Sequence, residues 1–228
     1  MLLLIFDIDG TLTENNDVAT EAFRKSVYDI FGISKYKEDW KDYKNDSDVG
    51  ILNEIFFSRY NRNLTLQELK QFQNYYLNCF EYLITVKGKR VLPVSGVSEF
   101  FRVISGYNDV KIALFTGGFP AVAKRKLDLI SIDNKFLLSA AFNGLSRKKI
   151  FLRCILNAEK KYRSIFDEIV LFGDSISDIE ISNKFNIPLI GITTQLTPED
   201  FILSGAKAAI SNYHSLKIEE LRNLSIWQ

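Results

Sequence analysis

The chain has 228 residues and a mass of 26.2 kDa, enough to bury roughly 70% of its unfolded surface in one core plus an inserted element, and too short for two large independent domains. Lys and Arg number 29 against 28 Asp and Glu, so no overall positive field exists of the kind that gathers nucleic acid by counterion release. Cys79 and Cys154 stand far apart with His214 as the single histidine, which argues against a zinc cluster or a Cys–His nucleophile and fits buried free thiols in a reducing, cytoplasmic setting.

The apolar run Leu2–Phe6 is too short to span a bilayer or act as a signal peptide and carries no basic leader, so it reads as the first core strand, with no membrane role expected. It runs straight into Asp7-Ile8-Asp9-Gly10-Thr11. Asp and Gly also favour ordinary surface turns, but two carboxylates just past a buried strand lie where parallel α/β sheets keep their ligands. Next, Ala19, Phe23, Val27, Ile30 and Phe31 recur at helical spacing, with Asp17 as N-cap and Gly32 as stop signal. Asp48 can open a helix carrying Ile51, Leu52, Ile55 and Phe56, and Thr65-Leu66-Gln67-Glu68 has the form of a capping box ahead of Leu69, Phe72, Tyr76, Phe80 and Leu83. The aromatics of this helical stretch (Phe56, Phe57, Tyr60, Phe72, Tyr75, Tyr76, Phe80, Tyr82) read as packing residues.

The character changes at Val91. Pro93 and Gly96 punctuate the re-entry, residues 100–104 suit a helix, and Val110–Phe115 has the length of a strand. Thr116-Gly117-Gly118 follows, with Pro120 suited to the first turn of a helix. Glycines permit close backbone approach and a helix N-terminus presents unpaired N–H groups, so a hydroxyl and amides here would suit a phosphate. Lys124-Arg125-Lys126 reads as a solvated helix face. Residues 137–142, 169–172, Leu189–Ile192 and Ala208–Ile210 suit strands, alternating with helices over 150–162 and 179–185. Gly173-Asp174-Ser175-Ile176-Ser177-Asp178 places carboxylates four apart at a helix opening, where they can share a face. A hard cation such as Mg²⁺ prefers carboxylate and water oxygens, although Asp174 could also simply cap the helix.

Strand–helix alternation predicts an α/β fold: a Rossmann-like parallel sheet flanked by helices, with an inserted all-helical cap domain. The expected boundaries are 1–14 and 91–228 for the catalytic core and 15–90 for the cap, with hinges near residues 14–17 and 86–92.

In their order, Asp7-x-Asp9-Gly10-Thr11, Thr116, the basic run Arg147-Lys148-Lys149 and Gly173-Asp174-x-x-x-Asp178 resemble the four motifs of the haloacid dehalogenase-like hydrolases, over essentially the whole chain. The resemblance implies that Asp7 attacks phosphorus and becomes a transient phosphoaspartate, that Thr116 binds the transferring phosphoryl oxygen, and that the Asp9 backbone carbonyl completes a metal shell. It also implies a lysine at the start of the helix before the fourth motif. Counting back from the apolar positions to Ala158 favours Lys148, then Lys149, then Arg147, and the proline that usually follows the lysine is absent. The expected catalytic set is therefore Asp7, Asp9, Thr116 and Lys148; the phosphate is held by Thr116, Gly117 and Lys148; Mg²⁺ is held by Asp7, Asp9, Asp174 and Asp178.

A carboxylate attacking a phosphate dianion meets repulsion, so such a site must concentrate positive charge. Passing through Asp7 replaces one difficult step with two easier ones, and Asp9 would serve as acid in the first and base in the second. Members that transfer carbon generally lack an acid two residues after the nucleophile, so Asp9 favours phosphoryl transfer. The expectation is a Mg²⁺-dependent phosphatase, monomer or homodimer, acting on a small phosphorylated metabolite: phosphoglycolate-like, a sugar phosphate or a nucleotide monophosphate. Lys44-Asn45-Asp46-Ser47-Asp48 is similar to the cap segment of phosphoglycolate phosphatase-like members. The alternatives are a phosphomutase of the β-phosphoglucomutase type and a non-catalytic module that binds a phosphorylated ligand.

Overall fold

The computed structural model describes residues 1–14, 17–132, 135–141, 145–214 and 216–223. Six strands form one fully parallel sheet: β1 (Leu2–Phe6), β2 (Val110–Phe115), β3 (Leu137–Ser139), β4 (Glu168–Gly173), β5 (Leu189–Ile192) and β6 (Ala208–Ile210), in the order β3-β2-β1-β4-β5-β6. That is a doubly wound, Rossmann-like order whose direction of travel reverses beside β1.

The reason β1 can sit at the centre is compositional. All five of its residues are buried, because both faces of a parallel sheet are covered and a continuous apolar run is then required. Leu3 and Ile5 point into one layer with Phe115 and Leu171, while Leu2, Leu4 and Phe6 point into the other with Ile112, Leu114, Val170 and Phe172.

The helices are α1 (Asp17–Phe31), α2 (Asp48–Tyr60), α3 (Leu66–Thr85), α4 (Val97–Ile104), α5 (Pro120–Leu129), α6 (Arg147–Tyr162), α7 (Ile176–Phe185), α8 (Pro198–Leu203) and α9 (Ile218–Asn223), with a one-turn 3-10 helix over Trp40–Asp42. The stop signal of α1 and the cap of α3 act as expected, whereas Asp17 lies in the first turn of α1 and not at its cap position. Gly32, at φ +63°, ends α1, and the reciprocal Thr65–Glu68 capping box opens α3. For α2 the cap is Ser47, whose hydroxyl accepts from the Gly50 amide, one residue before the expected Asp48. Helices α4, α6 and α7 each begin three residues earlier than expected: the first turns of α6 and α7 are largely polar, whereas Val97 is in phase with Phe100, Phe101 and Ile104 and extends the apolar face of α4. Strand β3 stops at Ser139. Ala140 and Ala141, expected in the strand, lie beyond it, while Phe142 and the hinge residues 15 and 16 lie outside the described residues.

Helices α1–α3 are inserted between β1 and α4. The entering and leaving segments run side by side: the Glu14 amide donates to the Leu92 carbonyl and the Val94 amide to Leu12, each at 2.9 Å. The insertion packs onto the sheet layer through aromatic contacts, with Phe119 5.7 Å from both Phe72 and Tyr76. Packing therefore accounts for Phe56, Phe72, Tyr76 and Phe80, which are buried, whereas Phe57, Tyr60, Tyr75 and Tyr82 lie on the outer surface. Cys79 and Cys154 are buried and free. No helix among the described residues is long and apolar enough to cross a membrane.

Candidate active site

The parallel register Phe6↔Phe172 makes β1 and β4 end side by side, and the Asp7 amide donates to the Phe172 carbonyl at 3.0 Å. Residues from opposite ends of the chain thus leave the sheet at one point. One carboxylate oxygen from each of Asp7, Asp174 and Asp178 lies within 4.8 Å of the others, and all three residues are buried. Two glycines make this approach possible. A Cβ on Gly10, which sits at φ +77°, would lie 1.9 Å from Asp174 Oδ2, and one on Gly173 would lie 2.4 Å from the Asp178 side chain. The Asp-x-Asp-Gly and Gly-Asp spacings are therefore steric requirements of the acidic cluster as well as turn chemistry.

Each acid is held differently. Asp174 accepts from the Thr11 hydroxyl at 3.2 Å and from the Gln195 amide at 2.5 Å. Asp178 occupies the capping-box position of α7: its Oδ2 accepts from the amides of Asp174 and Ser175 and from the Ser175 hydroxyl, and its Oδ1 accepts from Arg147 Nη2 at 2.6 Å. With both oxygens so engaged, Asp178 is placed to orient the cluster. Asp7 Oδ1 lies 3.2 Å from the same Arg147 nitrogen, close enough for an ion pair but misaligned for a hydrogen bond, so this buried oxygen has no hydrogen-bond donor.

Cations and acids are interleaved. Burial works against the charge of Arg147, but Asp178 and Asp7 outweigh it and push its pKa up; its guanidinium also lies over the Phe115 ring at 5.1 Å. Asp9 points to the other side, where its Oδ1 accepts from Lys126 Nζ at 2.5 Å, and its side chain is 21% exposed. Thr116 is buried at the end of β2, its hydroxyl oxygen accepting from the Gly118 amide at 3.0 Å. Gly117 carries the adjoining contact, its carbonyl accepting from the Asp48 amide at 2.8 Å.

The structure brings together Asp7, Asp9, Thr116, Gly117, Asp174 and Asp178, but not Lys148. The ammonium of Lys148 pairs with Glu180 at 2.6 Å on the outer side of α6 and α7, and Lys149 is exposed. Arg147 is the member of the basic run that enters the cluster. Its helical face explains why: Arg147 lies seven residues before Cys154 and eleven before Ala158, in line with Ile150 and Phe151, all buried. That signal was present in the sequence and points to position 147, not 148.

The solvated-face reading of Lys124-Arg125-Lys126 is also corrected, since Lys126 is 4% exposed and paired with Asp9. Sequence reasoning missed Gln195 and the acids Asp46 and Asp48 as site neighbours. Gln195 lies in a loop after β5 and carries no local signal.

The acids are crowded in a way that disfavours ionisation. Burial, then repulsion from Asp178, Asp174 and Asp9, raises the pKa of Asp7 well above its ordinary value against the pull of Arg147. Burial and Asp178 push Asp174 up to about 7, and burial pushes the half-buried Asp48 up to about 7. Carboxylates that are unfavourably ionised, with an undonated oxygen among them, suit a hard divalent cation, which would supply the missing positive charge.

Between the unfolded value near 4 and the folded value near 7 the native state binds more protons than the unfolded chain, so stability falls as pH rises through that window. Metal-free protein should melt several degrees lower at pH 8 than at pH 5. A flat or rising melting temperature over that interval would show that these acids are not crowded.

A family model of haloacid dehalogenase-like hydrolases matches residues 1–185. No curated protein matches the sequence. Among solved structures, the chain is similar to a HAD hydrolase of family IA, variant 3, from Entamoeba histolytica, with 17% identity, a TM-score of 0.73 and coverage of 99% of this chain and 100% of that one. It is similar to CbbY from Rhodobacter sphaeroides in complex with phosphate at 14% identity and TM-score 0.71, covering 96% and 98%. It is also similar to a protein described as a predicted phosphoglycolate phosphatase from Haemophilus somnus at 15% identity and TM-score 0.61, covering 92% and 94%. At these identities the likeness speaks for the fold alone.

Proposed function

The chain belongs to the haloacid dehalogenase-like hydrolases, and from that premise we propose that it is a Mg²⁺-dependent phosphatase of small phosphorylated metabolites, working through a phosphoaspartate at Asp7. The observation that carries this reading is the convergence of Asp7, Asp174 and Asp178 within 4.8 Å beside Arg147, with the Asp9–Lys126 pair next to it. Asp7, Asp174 and the Asp9 backbone carbonyl would hold the ion, and Asp178 would orient it. Once bound, Mg²⁺ would supply the positive charge that keeps Asp7 ionised and offsets the phosphate dianion.

The chain's own residues do the rest. Thr116 presents its hydroxyl at the end of β2 to a phosphoryl oxygen. Asp7 forms a bond to phosphorus as the ester P–O bond breaks, and the Asp9 carboxyl gives its proton to the departing alkoxide. In the second step the Asp9 carboxylate takes a proton from water as that water attacks phosphorus, the bond to Asp7 breaks, and inorganic phosphate leaves. Lys126 holds Asp9 in place through the contact of its Nζ with Oδ1. We assign to Arg147 the position that the family resemblance gave to Lys148, because its guanidinium already lies between Asp7 and Asp178. The helical insertion, expected to comprise residues 15–90, would act as the cap that screens this chemistry from bulk water.

The test is phosphate release from a broad panel of phosphate monoesters with and without Mg²⁺. We expect release that stops on chelation and returns with added Mg²⁺. Folded protein that releases no phosphate from any panel member would end the phosphatase reading. A sugar 1-phosphate converted to its 6-phosphate without free phosphate would replace it with the mutase.

A further inference from the structure

The loop leading into α2 is the part of the insertion that reaches the acids. Asp46 Oδ1 accepts from the Arg147 amide and its Oδ2 from the Ser177 hydroxyl, each at 3.0 Å, which ties the loop to the first turns of α6 and α7. Two residues on, the Asp48 amide donates to the Gly117 carbonyl at 2.8 Å, and its Oδ2 accepts from the Phe119 amide at 3.2 Å. The fit is close. A Cβ on Gly117 would lie 2.7 Å from the Asp46 carbonyl oxygen.

These contacts aim Asp48 at the phosphoryl end of the site. A Cβ on Gly118 would lie 3.3 Å from Thr116 Oγ1, 3.7 Å from Asp48 Oδ2 and 4.0 Å from Asp9 Oδ2. The three oxygens therefore border one small space that a glycine keeps open. Thr116 and Asp9 are the groups assigned above to the phosphoryl oxygen and the leaving-group oxygen, so Asp48 stands where the organic part of a substrate begins. The nearby cations are already engaged by acids, Lys126 with Asp9 and Arg147 with Asp7 and Asp178.

We propose, resting on the phosphatase reading, that Asp48 determines substrate choice: its carboxylate accepts a hydrogen bond from a hydroxyl or ammonium on the leaving group and repels a carboxylate there. The substrate class is then a phosphorylated polyol, sugar or amino alcohol and not a phosphorylated carboxylic acid. A fixed like charge beside a substrate carboxylate costs enough for at least about tenfold discrimination. The hydrogen bond that would offset a polyol's desolvation is denied to the acid.

The experiment compares kcat/KM at about pH 8.5, where Asp48 is ionised, for glycerol 3-phosphate, phosphoethanolamine, 2-phosphoglycolate and p-nitrophenyl phosphate in the wild type and in Asp48→Asn, which keeps an acceptor for the Phe119 amide. We expect the wild type to favour glycerol 3-phosphate over 2-phosphoglycolate by about tenfold or more, and the variant to shrink that ratio by about tenfold. The ratio is internal to each protein, so a partial loss of folded variant does not affect it. Equal or better hydrolysis of 2-phosphoglycolate by the wild type, or an unchanged ratio in the variant, overturns the inference while phosphate from p-nitrophenyl phosphate upholds the phosphatase reading. No phosphate from any of the four probes or from the broader panel overturns both.

Discussion

Replacing Asp7 by Asn is expected to abolish turnover, by a factor on the order of 10⁴ or more, while leaving the far-UV spectrum unchanged. A carboxamide matches the carboxylate in shape but is a very poor nucleophile towards phosphorus, so no phosphoaspartate can form. The same substitution should stabilise the metal-free protein. Asp7 is 2% exposed, lies among Asp9, Asp174 and Asp178, and has its pKa raised by burial and by those neighbours. Removing its charge relieves that crowding, so the melting temperature at pH 8 should rise by a few degrees although activity is lost. Opposite movements of activity and stability separate a lost nucleophile from a damaged fold. Turnover by Asp7→Asn within tenfold of the wild type would show that another group attacks.

The second large effect divides neighbours on one helix. Arg147→Gln should lower kcat/KM by about 10²- to 10³-fold, because it removes a buried cation aimed at the place where negative charge accumulates. Lys148→Gln should stay within about twofold, since its pair with Glu180 is partly exposed and such pairs contribute little. Loss of Arg147 also leaves Asp178 Oδ1 without its 2.6 Å partner, so some loss of stability accompanies the kinetic one, and activity should be expressed per folded molecule. Arg147→Lys should recover part of the activity, because an ammonium restores the charge that Nη2 brings to both carboxylates but not the guanidinium's contact with the Phe115 ring. If Lys148→Gln were instead the crippling change, the lysine expected from the family resemblance would be the working cation and the orientation of the first turn of α6 would have to differ.

The fold was legible because its signals are local and repetitive. A central parallel strand must be apolar throughout, and Leu2–Phe6 is; a helix that starts in water needs a cap, and the Thr65–Glu68 box supplies it. Signals fail where polar residues open a helix, as in the first turns of α6 and α7, and for α6 this bears directly on the site. Starting α6 at Ile150 left the basic run as an undifferentiated approach to the helix, whereas including Arg147 in the first turn puts it on the buried face with Cys154 and Ala158.

What the amino-acid order determined without help is the identity of the paired acids, Asp7 with Asp9 and Asp174 with Asp178, because each pair sits directly after an apolar strand and the chemistry is written in adjacent residues. Only the tertiary structure decided which cations serve them. Lys126 and Arg147 reach the acids across 117 and 31 residues of chain; helical spacing turns Arg147 towards the buried face of α6, but nothing near either residue in the sequence says which acid it meets. The same holds for Asp48, which meets Phe119 across 71 residues. Strand pairing brings together carboxylates far apart in the chain, but a long side chain finds its partner only when helices and loops have packed, and that choice depends on burial, which no short stretch of sequence contains.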